Sequence, residues 1–204
     1  MTIMADVKEI KPISTLPTKF GEFNIQVFVD NEGLEHSIVF KGEPWNEDFP
    51  MVRIHSECLT GDVFSSVRCD CGEQLDYAME KIANHGVGAV VYLRQEGRGI
   101  GLESKIKAYN LQDQGLDTLD ANIALGHGAD EREYNFAAKM LKTLEIFSIK
   151  LLSNNPLKIK GLEENGISVL REEHEIPFRA DNLHYLKVKA NRMGHMLKLT
   201  EKYQ

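Results

Sequence analysis

A buried strand, a glycine-rich turn and the start of a helix follow one another in Ala89–Gly101, which reads AVVYLRQEGRGIG. The apolar run Ala89–Leu93 is bounded by turn residues, a pattern typical of a strand inside a sheet. Glycines at positions 97, 99 and 101 let a ligand approach the backbone closely, and the helix N-terminus beyond them favours anions. The stretch therefore predicts a sheet-and-helix fold with a ligand site at the turn, although a solvated turn is an open alternative.

The segments on either side alternate between the strand period and the helix period. Strands are predicted at 23–29, 38–40, 52–54, 89–93, 149–152 and 169–170, and helices at 75–82, 102–109, 136–144, from 156 onward and at 183–193. We therefore predict an α/β (mixed α+β) fold with a β-rich N-terminal part followed by alternating strands and helices. No repeat or composition break divides the chain, so residues 1–204 are expected to form a single domain, with residues 1–19 as a loose arm.

The composition is that of an ordinary folded domain, because 42% of the 204 residues are hydrophobic and 27% are charged. Twenty-four Lys and Arg against 31 Asp and Glu leave a formal net charge of −7, which argues against binding long nucleic acid by bulk charge. No apolar stretch approaches the roughly 20 residues that cross a bilayer. The N-terminus lacks the apolar core of a secretory signal, so we expect a cytoplasmic protein without nucleic-acid or membrane partners.

The chain contains three cysteines, Cys58, Cys69 and Cys71. An odd number in a short span makes a poor disulfide framework, whereas three soft sulfur ligands favour zinc in a reducing compartment. The fourth position on the metal is either open to a water, as in hydrolytic zinc sites, or closed by His55 or His127. Three buried, inert thiols are the alternative that the spacing leaves open.

The charge of such a site limits its chemistry. Three thiolates around a divalent zinc leave a net charge of about −1, so the ion should acidify a water less than a zinc held by neutral imidazoles. A nearby base or positive charge would have to help.

Polar side chains suited to a nucleotide flank the cysteines. The period of two through the strand at 52–54 places Arg53, His55 and Glu57 on one face. Glu96 can accept from the N1–H and N2–H groups of a guanine, while the arginines beside it hold phosphates. Ser153–Lys158, SNNPLK, predicts a capped helix start that also suits an anion.

The segment Gly128–Tyr134 has two interpretations. It resembles a helix start with Asp130 as N-cap, but Asp130 and Arg132 could instead face a ligand. Neither a P-loop nor a dinucleotide fingerprint occurs in the chain, which disfavours those nucleotide-binding classes. His55-Ser56-Glu57 matches one half of the zinc deaminase signature, and the other half is absent.

Four ordered blocks stand out along the chain: RIHSECLTGD at 53–62, RCDCG at 68–72, RQEGRGIGL at 94–102 and SNNP at 153–156. Together they closely resemble GTP cyclohydrolase II. The resemblance extends over about residues 51–197, and Ser153 stands where the family usually has a threonine, so the hydroxyl is kept.

The resemblance implies the first step of riboflavin biosynthesis. A zinc-bound water would attack C8 of the guanine of GTP, open the imidazole ring and release formate, and pyrophosphate would leave from the α-phosphorus. The product would be 2,5-diamino-6-(5-phosphoribosylamino)pyrimidin-4(3H)-one. One Zn²⁺ per subunit, Mg²⁺ on the triphosphate and a homodimer are implied as well.

The resemblance also implies roles for individual residues. The zinc ligands would be Cys58, Cys69 and Cys71. The catalytic residues would be Asp130 as proton acceptor, Arg132 as nucleophile towards the α-phosphorus, and Tyr109 near the reacting ring. The residues in contact with GTP would be Arg53, Ile54, His55, Ser56, Glu57, Gln74, Glu96, Gly97, Arg98, Thr118, Ser153 and Lys158.

Several alternatives stay open at the level of sequence. A guanidinium is almost always protonated at neutral pH, so Arg132 also suits a charge clamp on the α-phosphate. Tyr109 also suits a core aromatic of an amphipathic helix. A cyclohydrolase that retains the formyl group, a zinc nucleotide deaminase and a nucleotide-binding regulatory domain with a structural zinc are the alternative functions.

Overall fold

The computed structural model describes residues 8–128, 130–174, 176 and 196. The strands are β1 (Lys8–Thr18), β2 (Gly21–Val29), β3 (Glu35–Lys41), β4 (Met51–Ser56), β5 (Gly88–Leu93), β6 (Ser148–Leu152) and β7 (Ser168–Glu172). The α-helices are α1 (Leu59–Asp62), α2 (Cys71–His85), α3 (Gly101–Asp113), α4 (Thr118–Ala124), α5 (Asn135–Thr143) and α6 (Pro156–Glu163). The mixed α/β fold predicted from the sequence is confirmed.

The strands of the described residues form one sheet in the order β1-β2-β3-β5-β4-β6-β7. The pairs β1/β2, β2/β3 and β3/β5 are antiparallel, whereas β5/β4, β4/β6 and β6/β7 are parallel. We call β1–β3 the antiparallel half and β4–β7 the parallel half. Helices connect the strands of the parallel half, as parallel strands require, and they carry the chain back after each strand.

Apolar side chains cover both faces of the sheet. One cluster joins strands of both halves to α5 and α6 through Phe28, Ile38, Val52, Ile54, Val91, Met140, Leu141, Ile149 and Leu162. The other packs α2 against the opposite face through Phe23, Met51, Ala78, Ile82, Val90 and Leu152. Burial on both faces explains why Ala89–Leu93 is apolar without alternation.

The element ends follow local signals. Gly86 adopts φ 89° and ends α2, as the sequence predicts. Asn155 caps α6, because its side chain accepts a hydrogen bond from Leu157 N at 2.9 Å. Of the two interpretations of Gly128–Tyr134, the one with Asp130 as N-cap is wrong, because α5 begins later, at Asn135, and the Asp130 carboxylate accepts from Arg132 N at 3.2 Å.

Three elements were not predicted. Residues 8–18 of the predicted arm form β1, which pairs with β2 and shifts register between Ile10 and Ser14, around Pro12. An edge strand tolerates proline because one side of its backbone needs no ladder partner. The short helices α1 and α4 also went unpredicted, and the helix predicted at 183–193 lies outside the described residues. No helix of the described part of the chain has the length and hydropathy that crossing a bilayer requires.

Candidate active site

The carboxyl ends of β4, β5, β6 and β7 meet at one edge of the sheet because the four strands run parallel. Cys58 follows β4, Glu96 follows β5, Ser153 follows β6 and His174 follows β7. All four residues line one cleft, whose free volume is about 1200 Å³ including the space at its open mouth. Open α/β sheets bind ligands outside the carboxyl ends of their strands, so this cleft is the candidate site.

The three cysteines gather at the wall of this cleft. Cys58 Sγ and Cys69 Sγ lie 3.6 Å apart, and the ligand atoms of all three lie within 4.8 Å of one another. Zn–S bonds of about 2.3 Å in a tetrahedron would separate two sulfurs by roughly 3.8 Å, so the sulfurs fit a zinc ion. A Cβ on Gly61 would lie 3.2 Å from Cys58 Sγ and from Cys69 Sγ. A glycine there leaves the sulfurs free to converge.

A second glycine lets the two turns that carry the cysteines come together. A Cβ built on Gly72, in the first turn of α2, would overlap the carbonyl oxygen of Gly61 in α1. Alanine at Gly72 would push α1 and α2 apart, whereas alanine at Gly61 would crowd the cysteine side chains.

The three thiols shift one another's pKa values in opposite directions. Hydrogen bonds from Cys69 and Cys71 hold the pKa of Cys58 far below its ordinary value, and the same bonds raise the pKa of Cys69 to about 11 and that of Cys71 as well. No further His, Cys, Asp or Glu of the described residues joins the cluster. His127 lies elsewhere, with Nε2 3.2 Å from Ser104 Oγ.

A buried ion pair lies against the cysteines. Lys105 Nζ is 3.2 Å from Cys58 Sγ and 2.8 Å from Glu96 Oε1. Burial lowers the pKa of Lys105, but the hydrogen bond to Glu96 and the charge of Cys58 raise it by more, so the net shift of the pKa is upward. Glu96 also accepts from Leu59 N at 2.6 Å and Gly97 N at 2.7 Å. Its carboxylate therefore ties the cysteine loop to the glycine-rich turn.

A second network fixes the ring of His55. His55 Nε2 lies 3.1 Å from both carboxylate oxygens of Asp62. Asp62 Oδ2 also accepts from Tyr92 Oη at 2.8 Å and from Cys58 N at 3.0 Å. Burial lowers the pKa of His55, which keeps the ring neutral. With Nε2–H given to Asp62, Nδ1 is an acceptor, and it has no partner among the described residues.

The floor of the cleft carries a buried guanidinium. Arg53 is 5% exposed and donates through Nη1 to Leu152 O at 2.9 Å and through Nη2 to Gln74 Oε1. Burial lowers the pKa of Arg53 to about 10. Its Nε has no partner among the described residues, so one donor of a buried cation is left for a ligand or water.

Two more buried polar groups line the far wall. Lys158 is 5% exposed, and its Nζ donates to Ile54 O at 2.7 Å. His174 Nε2 lies 3.1 Å from Gln74 O, so this nitrogen donates and Nδ1 is an acceptor without a partner in the described residues. Burial, together with the nearby charge of Arg53, lowers the pKa of His174 to about 2.

Arg132 enters the cleft as half of an ion pair. Asp130 accepts from Arg132 Nε at 2.7 Å and from Nη2, and both side chains are largely buried. Burial raises the pKa of Asp130, but the hydrogen bonds and charge of Arg132 lower it below its ordinary value. Arg98, which also lines the cleft, adopts φ 66°, a left-handed conformation that is strained for a residue with a side chain.

Tyr109 faces the same space from α3. Its hydroxyl lies 3.4 Å from Thr60 Oγ1, and the Arg68 guanidinium lies 4.9 Å from the ring centre. Burial raises the pKa of Tyr109 to about 12, so the hydroxyl keeps its proton at neutral pH.

The structure brings nearly all the predicted site residues together. The cleft is lined by Arg53, His55, Ser56, Glu57, Cys58, Cys69, Cys71, Gln74, Glu96, Gly97, Arg98, Tyr109, Thr118, Arg132, Ser153 and Lys158. Two predicted residues do not line it. The Ile54 side chain lies in the core and offers only its carbonyl to Lys158, and Asp130 lies behind Arg132.

Sequence reasoning missed several polar residues at this site. Lys105, Asn122 and His174 line the cleft, and Asp62 holds His55. The sequence did hold a signal for Lys105, which lies on the same face of α3 as Ala108 and therefore faces the core. A charged side chain is rarely buried there without a partner of opposite charge. His174 gives no such signal, since its position depends on where β7 ends.

Comparison with known proteins agrees with this geometry. The sequence profile described as GTP cyclohydrolase II matches residues 8–174. The chain is 48% identical over 183 residues to GTP cyclohydrolase-2 of Picrophilus torridus, covering 89% of this chain and 95% of that protein. It is 51% identical over 186 residues to GTP cyclohydrolase-2 of Acinetobacter baumannii, covering 90% and 93%. The riboflavin biosynthesis protein RibBA of Porphyromonas gingivalis is 50% identical over 188 residues, which are 89% of this chain and 45% of that protein. The chain thus spans less than half the length of such RibBA relatives.

Proposed function

Because the chain belongs to the GTP cyclohydrolase II family, we propose that it hydrolyses GTP in riboflavin biosynthesis. The reaction opens the imidazole ring of the guanine and releases formate and pyrophosphate, leaving 2,5-diamino-6-(5-phosphoribosylamino)pyrimidin-4(3H)-one. One observation carries this proposal. Three thiols with the spacing of zinc ligands open into the same cleft as the cationic and polar groups that suit a nucleotide.

The proposed metal is a single Zn²⁺ held by Cys58, Cys69 and Cys71. When bound, zinc would supply the Lewis acidity that activates a water for hydrolysis. The lack of a fourth protein ligand among the described residues supports a hydrolytic site over a closed structural one. Mg²⁺ is proposed to accompany the triphosphate, and the free thiols fit a cytoplasmic location.

Buried polar atoms without partners support a polar ligand. Arg53 Nε and Asn155 Nδ2 are donors, whereas His55 Nδ1 and His174 Nδ1 are acceptors, and none has a partner in the described part of the chain. Guanine presents both donors and acceptors on its edges, so it can satisfy groups of both kinds. We infer that these atoms, with Ser56, Gln74, Thr118 and Ser153, bind the nucleoside of GTP.

The cations of the cleft suit the triphosphate. Arg98, Arg132 and Lys158 line its wall, and a guanidinium can bind phosphate oxygens through two parallel hydrogen bonds. The Asp130–Arg132 pair favours a charge clamp over a nucleophile, because a paired guanidinium holds its proton more tightly. We propose that the Tyr109 hydroxyl, which keeps its proton, donates a hydrogen bond to the opened ring.

The products of a GTP incubation test the proposal directly. Purified protein is incubated with GTP and Mg²⁺, with and without a zinc chelator, and formate, pyrophosphate and ammonia are measured. We expect formate and pyrophosphate in equal amounts, loss of both with chelator and recovery on adding Zn²⁺. Ammonia would identify a deaminase, pyrophosphate without formate a variant that retains the formyl group, and tight GTP binding without products a regulatory domain.

A homodimer is proposed as the working state. The segment after α1 exposes Val63, Phe64 and Val67 by 63%, 70% and 45%. Adjacent exposed apolar side chains of this size are typical of an interface. Light scattering of the parent protein and of Phe64→Lys tests this, with a dimer expected for the parent and a shift to monomer for the variant. A parent protein that is monomeric at micromolar concentration would contradict it.

A further inference from the structure

Lys105 is buried in the wall of the cleft, and neither the motifs nor the family resemblance assigned it a role. It lies in α3 and is 8% exposed. A lysine is seldom buried unless its charge is paired. Its partners are Glu96 Oε1 at 2.8 Å and Cys58 Sγ at 3.2 Å, so the ammonium bridges a carboxylate and a sulfur of the cysteine cluster.

Neighbouring groups hold the ammonium in this place. The other oxygen of Glu96 accepts from Leu59 N at 2.6 Å, next to Cys58 in the chain, and Glu96 Oε1 also accepts from Gly97 N. Gly97 allows the close approach of α3 to the turn, because a Cβ there would lie 3.1 Å from Lys105 Cβ. The carboxylate is therefore fixed by backbone on both sides, and it fixes Lys105 in turn.

We propose that Lys105 is a positioning residue that donates a hydrogen bond to the Cys58 thiolate and so preserves the Lewis acidity of the metal. The inference rests on the proposed function, since it concerns the zinc that the three cysteines would hold. Three thiolates together carry one more negative charge than a divalent ion can neutralise. This excess weakens the ion's polarisation of a bound water. An N–H···S bond draws electron density from one sulfur and offsets part of that excess.

The experiment uses cobalt in place of zinc, because Co²⁺ bound to thiolates absorbs light through sulfur-to-metal charge transfer. Metal-free protein is loaded with Co²⁺, and the band is recorded for the parent, Lys105→Met, Lys105→Arg and Lys107→Met. Lys107 is a matched control on the same helix, where it is exposed and pairs with Glu103. In Lys105→Met, the Cys58 sulfur has lost its hydrogen-bond donor and gives up an electron more easily, so the charge transfer needs less energy.

We expect the band of Lys105→Met to move to longer wavelength, that of Lys105→Arg to stay near the parent, and that of Lys107→Met to be unchanged. With zinc, formate release by Lys105→Met should slow by about 10- to 100-fold, while GTP affinity changes less than about twofold. If Lys105→Met does not fold because Glu96 is left unpaired, the double variant Lys105→Met/Glu96→Gln removes the whole pair and should show the same band shift.

The outcomes separate the two proposals. An unchanged band in cobalt-loaded Lys105→Met, or in the double variant, overturns the role of Lys105 even if the parent makes formate. A parent with the thiolate band that never makes formate refutes the cyclohydrolase activity and leaves the hydrogen bond to Cys58 standing. A parent that takes up no cobalt at the cysteines overturns the metal site and the role of Lys105 together.

Discussion

The two halves of the sheet bury different kinds of side chain. In the antiparallel half, Phe23, Phe28, Ile38 and Phe40 are buried, and the buried polar side chains among the described residues are Gln26 and His36. At the carboxyl edge of the parallel half, the buried side chains include Arg53, His55, Asp70, Ser153, Asn154, Asn155, Lys158 and His174.

This contrast indicates how the fold divides stability and binding. Apolar burial stabilises by roughly 25 cal/mol per Å², whereas a buried polar group costs free energy unless it is hydrogen-bonded. The antiparallel half therefore contributes stability with few costs. The parallel half keeps unsatisfied groups such as Arg53 Nε and His174 Nδ1, which a ligand can pair.

The largest effect is expected from the cysteines. Cys58→Ser removes one soft ligand of the proposed zinc, and metal catalysis contributes several kcal/mol of transition-state stabilisation, so formate release should fall on the order of 10³-fold. The zinc content of purified protein, measured by mass spectrometry, should fall in parallel. A variant that retains full activity would contradict the division between the two halves.

A core truncation in the antiparallel half tests the opposite side of the contrast. Phe28→Ala empties part of the core cluster and should lower the free energy of unfolding by about 3–5 kcal/mol in a urea titration. The kcat per folded molecule should stay within about twofold of the parent, because Phe28 does not line the cleft. A large fall in kcat at full folding would show that the halves are not separable.

The Asp130–Arg132 pair provides an intermediate test. Asp130→Asn keeps the shape of the side chain but removes the charge that holds the Arg132 guanidinium. If Arg132 clamps the α-phosphate, its displacement should slow pyrophosphate release by about 10²-fold. The matched control is Asp113→Asn, which weakens the exposed Arg68–Asp113 pair. Because exposed ion pairs contribute little, its rate should match the parent, and equal losses in both variants would contradict a clamp.

The smallest effect concerns pH. Burial holds the pKa of His174 near 2 in the folded protein, while an unfolded histidine titrates near about 6.5. Between these two pKa values the histidine is protonated in the unfolded state and neutral in the folded state. The free energy of unfolding therefore falls as the pH drops below about 6.5. From pH 7 to pH 5 the parent should lose about 1–2 kcal/mol more than His174→Asn in urea unfolding. Parallel losses would contradict a neutral, buried His174.

Periodicity predicted the elements whose burial is simple. β3 alternates because the face that carries His36, Ile38 and Phe40 is buried and the other is not, and β5 is apolar throughout because both its faces are covered. In β2 the period identified a strand, but the buried side chains of its second half are Gln26 and Phe28. β1 was missed because Pro12 and Pro17 suggest an irregular arm, and only its pairing with β2 makes it a strand. α4 was missed because this helix, which follows its cap Asp117, is too short to show a clear helical period.

The site was predictable where motifs carry it and not where distant residues meet. The cysteines come shortly after the strand Met51–Ser56, the glycine-rich turn directly follows β5, and each of these stretches carries its own pattern. The pairing of Lys105 with Cys58 spans 47 residues, and that of His174 with Gln74 spans 100. Such contacts depend on the sheet order, which local patterns do not determine.

The contact between Gly61 and Gly72 sets a limit on how the chain can vary. A methyl group on Gly72 would force the two tight turns apart, and one on Gly61 would press directly on the sulfurs of Cys58 and Cys69. Retention of the proposed zinc ion, a property that chemists assign to donor atoms, would thus depend on two residues that donate nothing and have no side chain.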